Sequence, residues 1–135
     1  YRAILWYIFD RLSINIGKET DMKKRLKLEP NNNNLIIWEA EQPKAVLQLV
    51  HGMVEYVERY EEFALAMNNE GFTVIGHDHL GHGYTAQNPS QLGVFPESPE
   101  ELIDDIERVT SFIQESYPEL PIVLLGLSYV SLLCS

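Results

Sequence analysis

Ser128 is the residue of this sequence best placed to act as a nucleophile. It follows the apolar run Ile122–Leu125 and Gly126, and an apolar segment comes after it. The triplet Gly126-Leu127-Ser128 is the first half of a G-x-S-x-G nucleophile elbow, a sharp turn that projects a hydroxyl above a sheet. Such a hydroxyl attacks acyl carbon, so the predicted chemistry is acyl transfer. The triplet alone also fits an ordinary serine at the end of a strand.

Acyl transfer requires hydrogen-bond donors for the oxygen that becomes negatively charged. In an elbow the backbone N–H of the next residue, here Tyr129, supplies one donor. The second donor comes from a loop after an earlier strand, where His51-Gly52-Met53 follows the apolar run Ala45–Val50. We therefore predict that the backbone N–H groups of Met53 and Tyr129 form an oxyanion hole. Loss of one such donor slows the reaction by about two to three powers of ten.

Three apolar runs predict the strands that carry these loops. The runs Ala45–Val50, Phe72–Ile75 and Ile122–Leu125 are typical of strands buried on both faces, and glycine lies beside a polar residue after each. Helices are predicted over Arg59–Asn69 and after the capping box Ser98-Pro99-Glu100-Glu101. Alternating strands and helices indicate an α/β fold with a parallel sheet and right-handed crossovers. Sites in such sheets lie at the carboxyl ends of the strands.

A β-hairpin is predicted before the first of these runs. Pro30 and the four asparagines at 31–34 form a turn-prone segment. The flanks Arg25–Glu29 and Leu35–Ala40 alternate or run apolar, as paired strands do. We therefore expect the asparagines in the loop of the hairpin.

Three further motifs allow a comparison with known families. They are His51-Gly52-Met53-Val54-Glu55 with Arg59-Tyr60, then Asp78-His79-Leu80-Gly81-His82-Gly83, and Tyr117-Pro118-Glu119-Leu120-Pro121 before the last strand. With these motifs, the segment from Gln42 to Leu133 resembles the monoacylglycerol lipase and lysophospholipase group of α/β-hydrolases, also labelled serine aminopeptidase S33-like. The resemblance implies the N-terminal half of that fold, ending at the nucleophile elbow. It also implies hydrolysis of small lipid esters by a serine–histidine–acid triad, with no cofactor and no metal.

The sequence departs from the family pattern around the serine. The family elbow usually reads Gly-His-Ser-Met-Gly, whereas Leu127 and Tyr129 flank the serine here and Val130 replaces the final glycine. Tyr56 stands where the family usually has histidine. Members of the fold run serine, acid, histidine, and none of the seven residues after Ser128 is Asp, Glu or His. We therefore expect this chain alone to be inactive, and an inactive truncated or degenerate homologue is the alternative.

A second chemistry is suggested by the H-x-H-x-x-H pattern of His77, His79 and His82. Imidazoles two residues apart share one face of a strand and could ligate zinc. Metallo-β-lactamase-like hydrolases use a related pattern with aspartate before the third histidine, where this sequence has Gly81. A metal-binding hydrolase is therefore an alternative, and hydrogen bonding of these side chains to the loop backbone is the other.

Composition restricts the class of protein. The chain has 135 residues, of which 45 % are hydrophobic, and a formal net charge of −10. These values are typical of one globular domain. The acidic balance argues against a nucleic-acid partner, which requires a basic face. A small lipid ester is the expected partner, and the oligomeric state is not predicted.

The beginning of the chain and its single cysteine suggest further expectations. The apolar run at residues 3–9 is too short to span a bilayer. Met22 precedes three basic residues, so we expect residues 1–21 to be a leader or upstream sequence and residues 22–135 to form an incomplete α/β-hydrolase domain. Cys134, the one cysteine, fits a reducing, cytoplasmic compartment.

Overall fold

A five-stranded mixed sheet forms the centre of the structure, a computed structural model that describes residues 22–94, 96 and 98–127. The strands are β1 (Lys23–Leu28), β2 (Asn33–Trp38), β3 (Ala45–Val50), β4 (Phe72–His77) and β5 (Ile122–Gly126). The helices are α1 (Glu61–Asn69) and α2 (Pro99–Ser116), with short 3₁₀ turns at Val57–Tyr60, Gly83–Thr85 and Pro89–Gln91. The predicted strands are confirmed to within two residues.

The strand order is β1-β2-β4-β3-β5. Strands β3, β4 and β5 run parallel, whereas β2 pairs antiparallel with both β1 and β4. Val50 at the end of β3 lies opposite His77 on one side and Gly126 on the other. The loops that follow these three strands therefore leave the sheet at the same edge, as predicted.

Apolar side chains on both faces of the sheet explain the continuous apolar runs. On one face Trp38, Leu49 and Val74 pack with Phe63 of α1. On the other face the core includes Leu35, Ile37, Val46 and Ile75 with Val109 and Ile113 of α2. Because every residue of β2 and β3 is buried, neither strand shows the polar alternation of a half-exposed strand.

Two details of the predicted elements are wrong. The hairpin is present, but Asn33 and Asn34 lie within β2 and are buried instead of forming the loop. The helix begins at Pro99 as expected, yet the side chain of Ser98 caps no backbone N–H. The Ser98 hydroxyl bonds the Glu100 carboxylate instead, and only its carbonyl accepts from the Glu101 N–H, at 3.2 Å. The predicted capping box is therefore not formed.

Strand β5 lies at one edge of the described sheet. Its central residues Val123 and Leu124 are 48 % and 45 % exposed. An apolar edge strand of this kind can pair with other chains. No helix among the described residues is long and apolar enough to cross a lipid bilayer. The expected leader at 1–21, and Ser128, Tyr129, Val130 and Cys134, lie outside the described residues.

Candidate active site

The loop after β3 and the end of β5 meet at the edge where the parallel strands end. The backbone N–H of Leu127 donates to the carbonyl of Val50 at 3.1 Å, which continues the pairing one residue beyond β5. Leu127 is buried in the same core cluster as Leu49 and Val57. The residue that precedes Ser128 is therefore held beside the residue that precedes His51.

His51 and His79 link the loops after β3 and β4 through two hydrogen bonds. The backbone N–H of His79 donates to Nε2 of His51 at 2.9 Å, and Nε2 of His79 lies 2.9 Å from the carbonyl oxygen of His51. Nδ1 of His51 lies 2.7 Å from the carbonyl oxygen of Gly52. The two rings are in edge contact, with centroids 4.2 Å apart. Each histidine thus binds the backbone of the other's loop.

Burial keeps both of these histidines neutral. It lowers the pKa of His51 from 6.5 to about 4, although the hydrogen bond to Gly52 acts in the opposite direction. Burial together with the neighbouring His51 lowers the pKa of His79 to about 3. The pKa of His77 is also lowered well below its usual value, chiefly by complete burial. Neutral imidazoles carry one donor and one acceptor, as the two-way link requires.

Glu55 holds the loop after β3 from its other side. Its Oε1 accepts from the backbone N–H of Gly52 at 2.5 Å and from the hydroxyl of Tyr60 at 2.6 Å. Arg59 pairs with the second carboxylate oxygen at 3.2 Å. The carboxylate side chain is only 10 % exposed, so these charge-assisted bonds are shielded from water. Both backbone polar groups of Gly52 are therefore bound.

Met53 lies at the tip of this loop, with a half-exposed side chain. The next residue, Val54, has a φ of +53°, which a β-branched residue rarely adopts. Backbone strain of this kind costs about 1–3 kcal/mol and is concentrated at functional sites. Within residues 22–94, 96 and 98–127, no group accepts a hydrogen bond from the Met53 N–H. That N–H is therefore available to an oxyanion.

Asp78, directly after β4, organises the surrounding loops. Its buried carboxylate accepts from the N–H of Val57 at 2.8 Å, from Nδ2 of Asn34 at 2.8 Å and from the N–H of Tyr84 at 3.0 Å. Gly83 has a φ of +47°, and a Cβ there would lie 2.3 Å from Asp78 Oδ2. Only glycine therefore lets the loop fold over the carboxylate. The structural interpretation of Asp78 is confirmed.

The four histidines of the chain, His51, His77, His79 and His82, cluster at this edge, but their arrangement is not that of a metal site. Nδ1 of His82 donates to the carbonyl of Leu80 at 2.9 Å. The ring centroids of His77 and His79 are 5.1 Å apart and those of His79 and His82 are 6.2 Å apart. In the described part of the chain no three His, Cys, Asp or Glu side chains could hold a metal ion. The alternative of a metal site at His77, His79 and His82 is wrong, because backbone carbonyls already bind nitrogens of the last two.

A buried polar network beneath the hairpin was not predicted. Asn33 donates to Oδ2 of Asp105 at 3.1 Å, Asn31 donates to Oδ1 of the same carboxylate at 2.8 Å, and Arg108 pairs with that carboxylate. The roles of Glu55 and His51 in holding the loop were also missed. The local signal for Glu55 is its position three residues after Gly52, but no sequence pattern indicates the partners of the asparagines.

The sheet order, the three parallel strands ending at one edge and the helices on both faces define an α/β-hydrolase fold. Residues 41–132 match the model of the family described as serine aminopeptidase, S33. The chain belongs to this family and comprises the N-terminal part of its fold.

Individual relatives agree with this assignment. Monoglyceride lipase of Rattus norvegicus is 34 % identical over 84 residues, which are 62 % of this chain and 26 % of the rat protein. A phospholipase of Bacillus subtilis is 30 % identical over 89 residues, which are 66 % of this chain and 32 % of the relative. The chain therefore spans about a quarter to a third of the length of these relatives.

Solved structures show the same fold. A thermostable carboxyl esterase from Bacillus coagulans, in complex with glycerol, superposes with a TM-score of 0.68 at 29 % identity. The match covers 78 % of this chain and 36 % of the esterase. The family and its relatives are thus serine hydrolases of the esterase and lipase type.

Proposed function

We propose that this chain supplies the nucleophile and the oxyanion hole of a serine hydrolase that cleaves monoacylglycerol or lysophospholipid-like esters. Ser128 attacks the acyl carbon, and the N–H groups of Met53 and Tyr129 stabilise the oxyanion. A histidine would act as general base and a carboxylate would orient it. The proposal assigns these two groups to the part of the protein that the relatives have in addition to the matched segment.

The contact between Leu127 and Val50 is the observation that carries this proposal. Consecutive Cα atoms are about 3.8 Å apart across a trans peptide. Ser128 therefore begins one peptide unit from Leu127, whose N–H binds the carbonyl of Val50. Met53, with its N–H available, is three residues beyond Val50. Connectivity alone thus supports a nucleophile close to the proposed oxyanion donor.

Exposed apolar side chains around this loop support a lipid substrate. Met53, Val54, Leu92 and Val94 are between 50 % and 74 % exposed. The two loops that carry them approach each other, since a Cβ at Gly93 would lie 3.9 Å from Cγ1 of Val54. Apolar surface gathered in this way is typical of binding sites for apolar ligands. The formal net charge of −10 also disfavours anionic substrates.

A cavity of about 300 Å³ lies beside the same loops. Its lining comprises Leu80, Gly81, Thr85, Gln87, Gln91, Val94 and Pro96. A volume of this size is at the lower end of the range for small-molecule pockets. The cavity supports a substrate with one short apolar portion.

A fluorophosphonate probe tests the proposal on the native gene product, expressed with whatever follows residue 135. We expect stoichiometric labelling that Ser128→Ala abolishes and that Ser131→Ala, a matched serine three residues later, leaves intact. The 135-residue chain should not turn over monoacylglycerol, because loss of a triad base costs about 10⁶ in kcat in subtilisin, the example from which the figure comes.

The opposite results are equally clear. Labelling that persists in Ser128→Ala would exclude this serine as the nucleophile. A native product that is never labelled would establish the inactive, degenerate homologue, which Val130 favours because elbows usually carry glycine at that position.

A further inference from the structure

The hydrogen bonds of His51 determine which of its nitrogens carries the proton. A backbone N–H can only donate, so Nε2 of His51, 2.9 Å from the N–H of His79, is the unprotonated acceptor. The proton of the neutral ring must then reside on Nδ1. Nδ1 lies 2.7 Å from the carbonyl oxygen of Gly52 and donates to it.

The same reasoning assigns the opposite tautomer to His79. Its Nε2 lies 2.9 Å from the carbonyl oxygen of His51, which can only accept. Nε2 of His79 therefore carries its proton. The loop after β4 thus sets the tautomer of His51 through a backbone N–H, and it binds the backbone of His51 in return.

The bond from His51 to Gly52 also orients the amide of Met53. The carbonyl of Gly52 and the N–H of Met53 belong to one peptide unit, which is planar and trans. In such a unit the C=O and the N–H point in opposite directions. Because the C=O of Gly52 faces the fully buried ring of His51, the N–H of Met53 points away from that ring and out of the core.

We propose that His51 is a positioning residue, which aims the Met53 N–H at the oxyanion by holding the preceding carbonyl, and that the loop after β4 enforces the required tautomer. This inference rests on the proposed role of Met53 as an oxyanion donor. His51 does not touch the reacting atoms. Glu55, which binds the Gly52 N–H, fixes the preceding peptide of the same loop.

The tautomers can be measured without any catalytic activity. Long-range ¹H–¹⁵N correlation spectra of the ¹⁵N-histidine-labelled chain at pH 7 distinguish protonated from unprotonated ring nitrogens. We expect His51 protonated on Nδ1 and His79 on Nε2. A His51 ring protonated on Nε2, or on both nitrogens, would overturn the inference, because it could not accept from His79 while donating to Gly52.

Two substitutions then separate positioning from packing. The amide nitrogen of asparagine occupies nearly the place of Nδ1, so His51→Asn can still donate to the Gly52 carbonyl, whereas His51→Leu cannot. His82→Leu is the matched control, because it removes a similar buried bond from ring Nδ1 to a carbonyl, that of Leu80. The readout is the rate constant of fluorophosphonate labelling of the native product, alongside the Met53 amide chemical shift in the 135-residue chain.

We expect His51→Leu to slow labelling by about 10- to 100-fold, less than the complete loss of a donor. His51→Asn should recover to within about 10-fold of the unsubstituted protein. The Met53 amide shift should move in His51→Leu and stay in place in His82→Leu. Equal labelling rates for His51→Leu and the unsubstituted protein, or no recovery in His51→Asn, would refute the positioning role.

Failure of the proposed function has a different signature. In that case the unsubstituted native product is not labelled at all, and the tautomers with the Met53 amide shifts decide the orientation of the amide on their own. Should His51→Leu not fold, as circular dichroism would show, the tautomer assignment and His51→Asn still decide the inference.

Discussion

Mild acid should destabilise this protein through its buried histidines. An unfolded histidine titrates near pH 6.5, whereas burial lowers the pKa of His51 to about 4 and that of His79 to about 3. The pKa of the fully buried His77 is lowered as well. Between pH 6.5 and about 4 the unfolded chain therefore binds protons that the folded chain does not.

The sign and size of the effect follow from this difference. The stabilisation is complete above pH 6.5 and is lost as the pH falls toward the folded-state pKa values, because protons then favour the unfolded chain. At pH 5 each histidine lies about 1.5 pH units below its unfolded pKa, which corresponds to about 2 kcal/mol. Three histidines together cost about 6 kcal/mol, a large share of the 5–15 kcal/mol typical of a domain.

Urea unfolding followed by circular dichroism measures this loss. The free energy of unfolding is determined at intervals from pH 7.5 to 5.0, above the range in which most carboxylates titrate. Its slope against pH gives the number of protons taken up on unfolding. Three histidines predict a slope of about 4 kcal/mol per pH unit near pH 5.

His77 provides the internal control. Among the described residues neither ring nitrogen of His77 has a hydrogen-bond partner, so His77→Leu removes a titrating group and breaks no such bond. We expect the slope to fall by about one proton and the stability at pH 7.5 to rise by about 1 kcal/mol. A free energy of unfolding that does not change with pH, or a slope that His77→Leu leaves unaltered, would show that the neutral histidines do not control acid stability.

Three further substitutions test other parts of the structure. Gly83→Ala should cost about 3 kcal/mol in urea unfolding, because its methyl group would overlap the Asp78 carboxylate at a positive φ; a loss below 1 kcal/mol would contradict this close approach. Asp78→Asn should cost about 2 kcal/mol by leaving a donor such as the Val57 N–H facing an amide group. The exposed control Asp104→Asn should change stability by less than about 0.5 kcal/mol. Val123→Lys on the edge strand should reduce self-association in light scattering, and unchanged scattering would mean that this edge does not mediate association.

Local patterns were sufficient to predict the strands and helices. The continuous apolar run of β3 was predicted with its observed bounds, and those of β4 and β5 were predicted to within two residues, because burial on both faces leaves a signal that needs no partner to be recognised. The parallel order of these strands, and the gathering of their loops at one edge, follow from the alternation with helices. The family motifs then placed Met53 in the oxyanion loop, where its available N–H is consistent with that role.

The asparagines show why local patterns are not always sufficient. Proline and asparagine favour turns, yet Asn33 and Asn34 lie in a buried strand. Asn34 binds Asp78, which is 44 residues away in sequence, and Asn33 binds Asp105, which is 72 residues away. A buried amide is tolerated only where such partners exist, and no local pattern reports them.

The chemistry of the histidines was likewise decided by tertiary contacts. The sequence by itself determined which residues carry imidazoles and placed them after neighbouring strands. It left open whether those imidazoles bind a metal or the backbone, and it could not assign a tautomer. The N–H of His79, 28 residues from His51, makes that choice, because a ring nitrogen facing a backbone donor must accept.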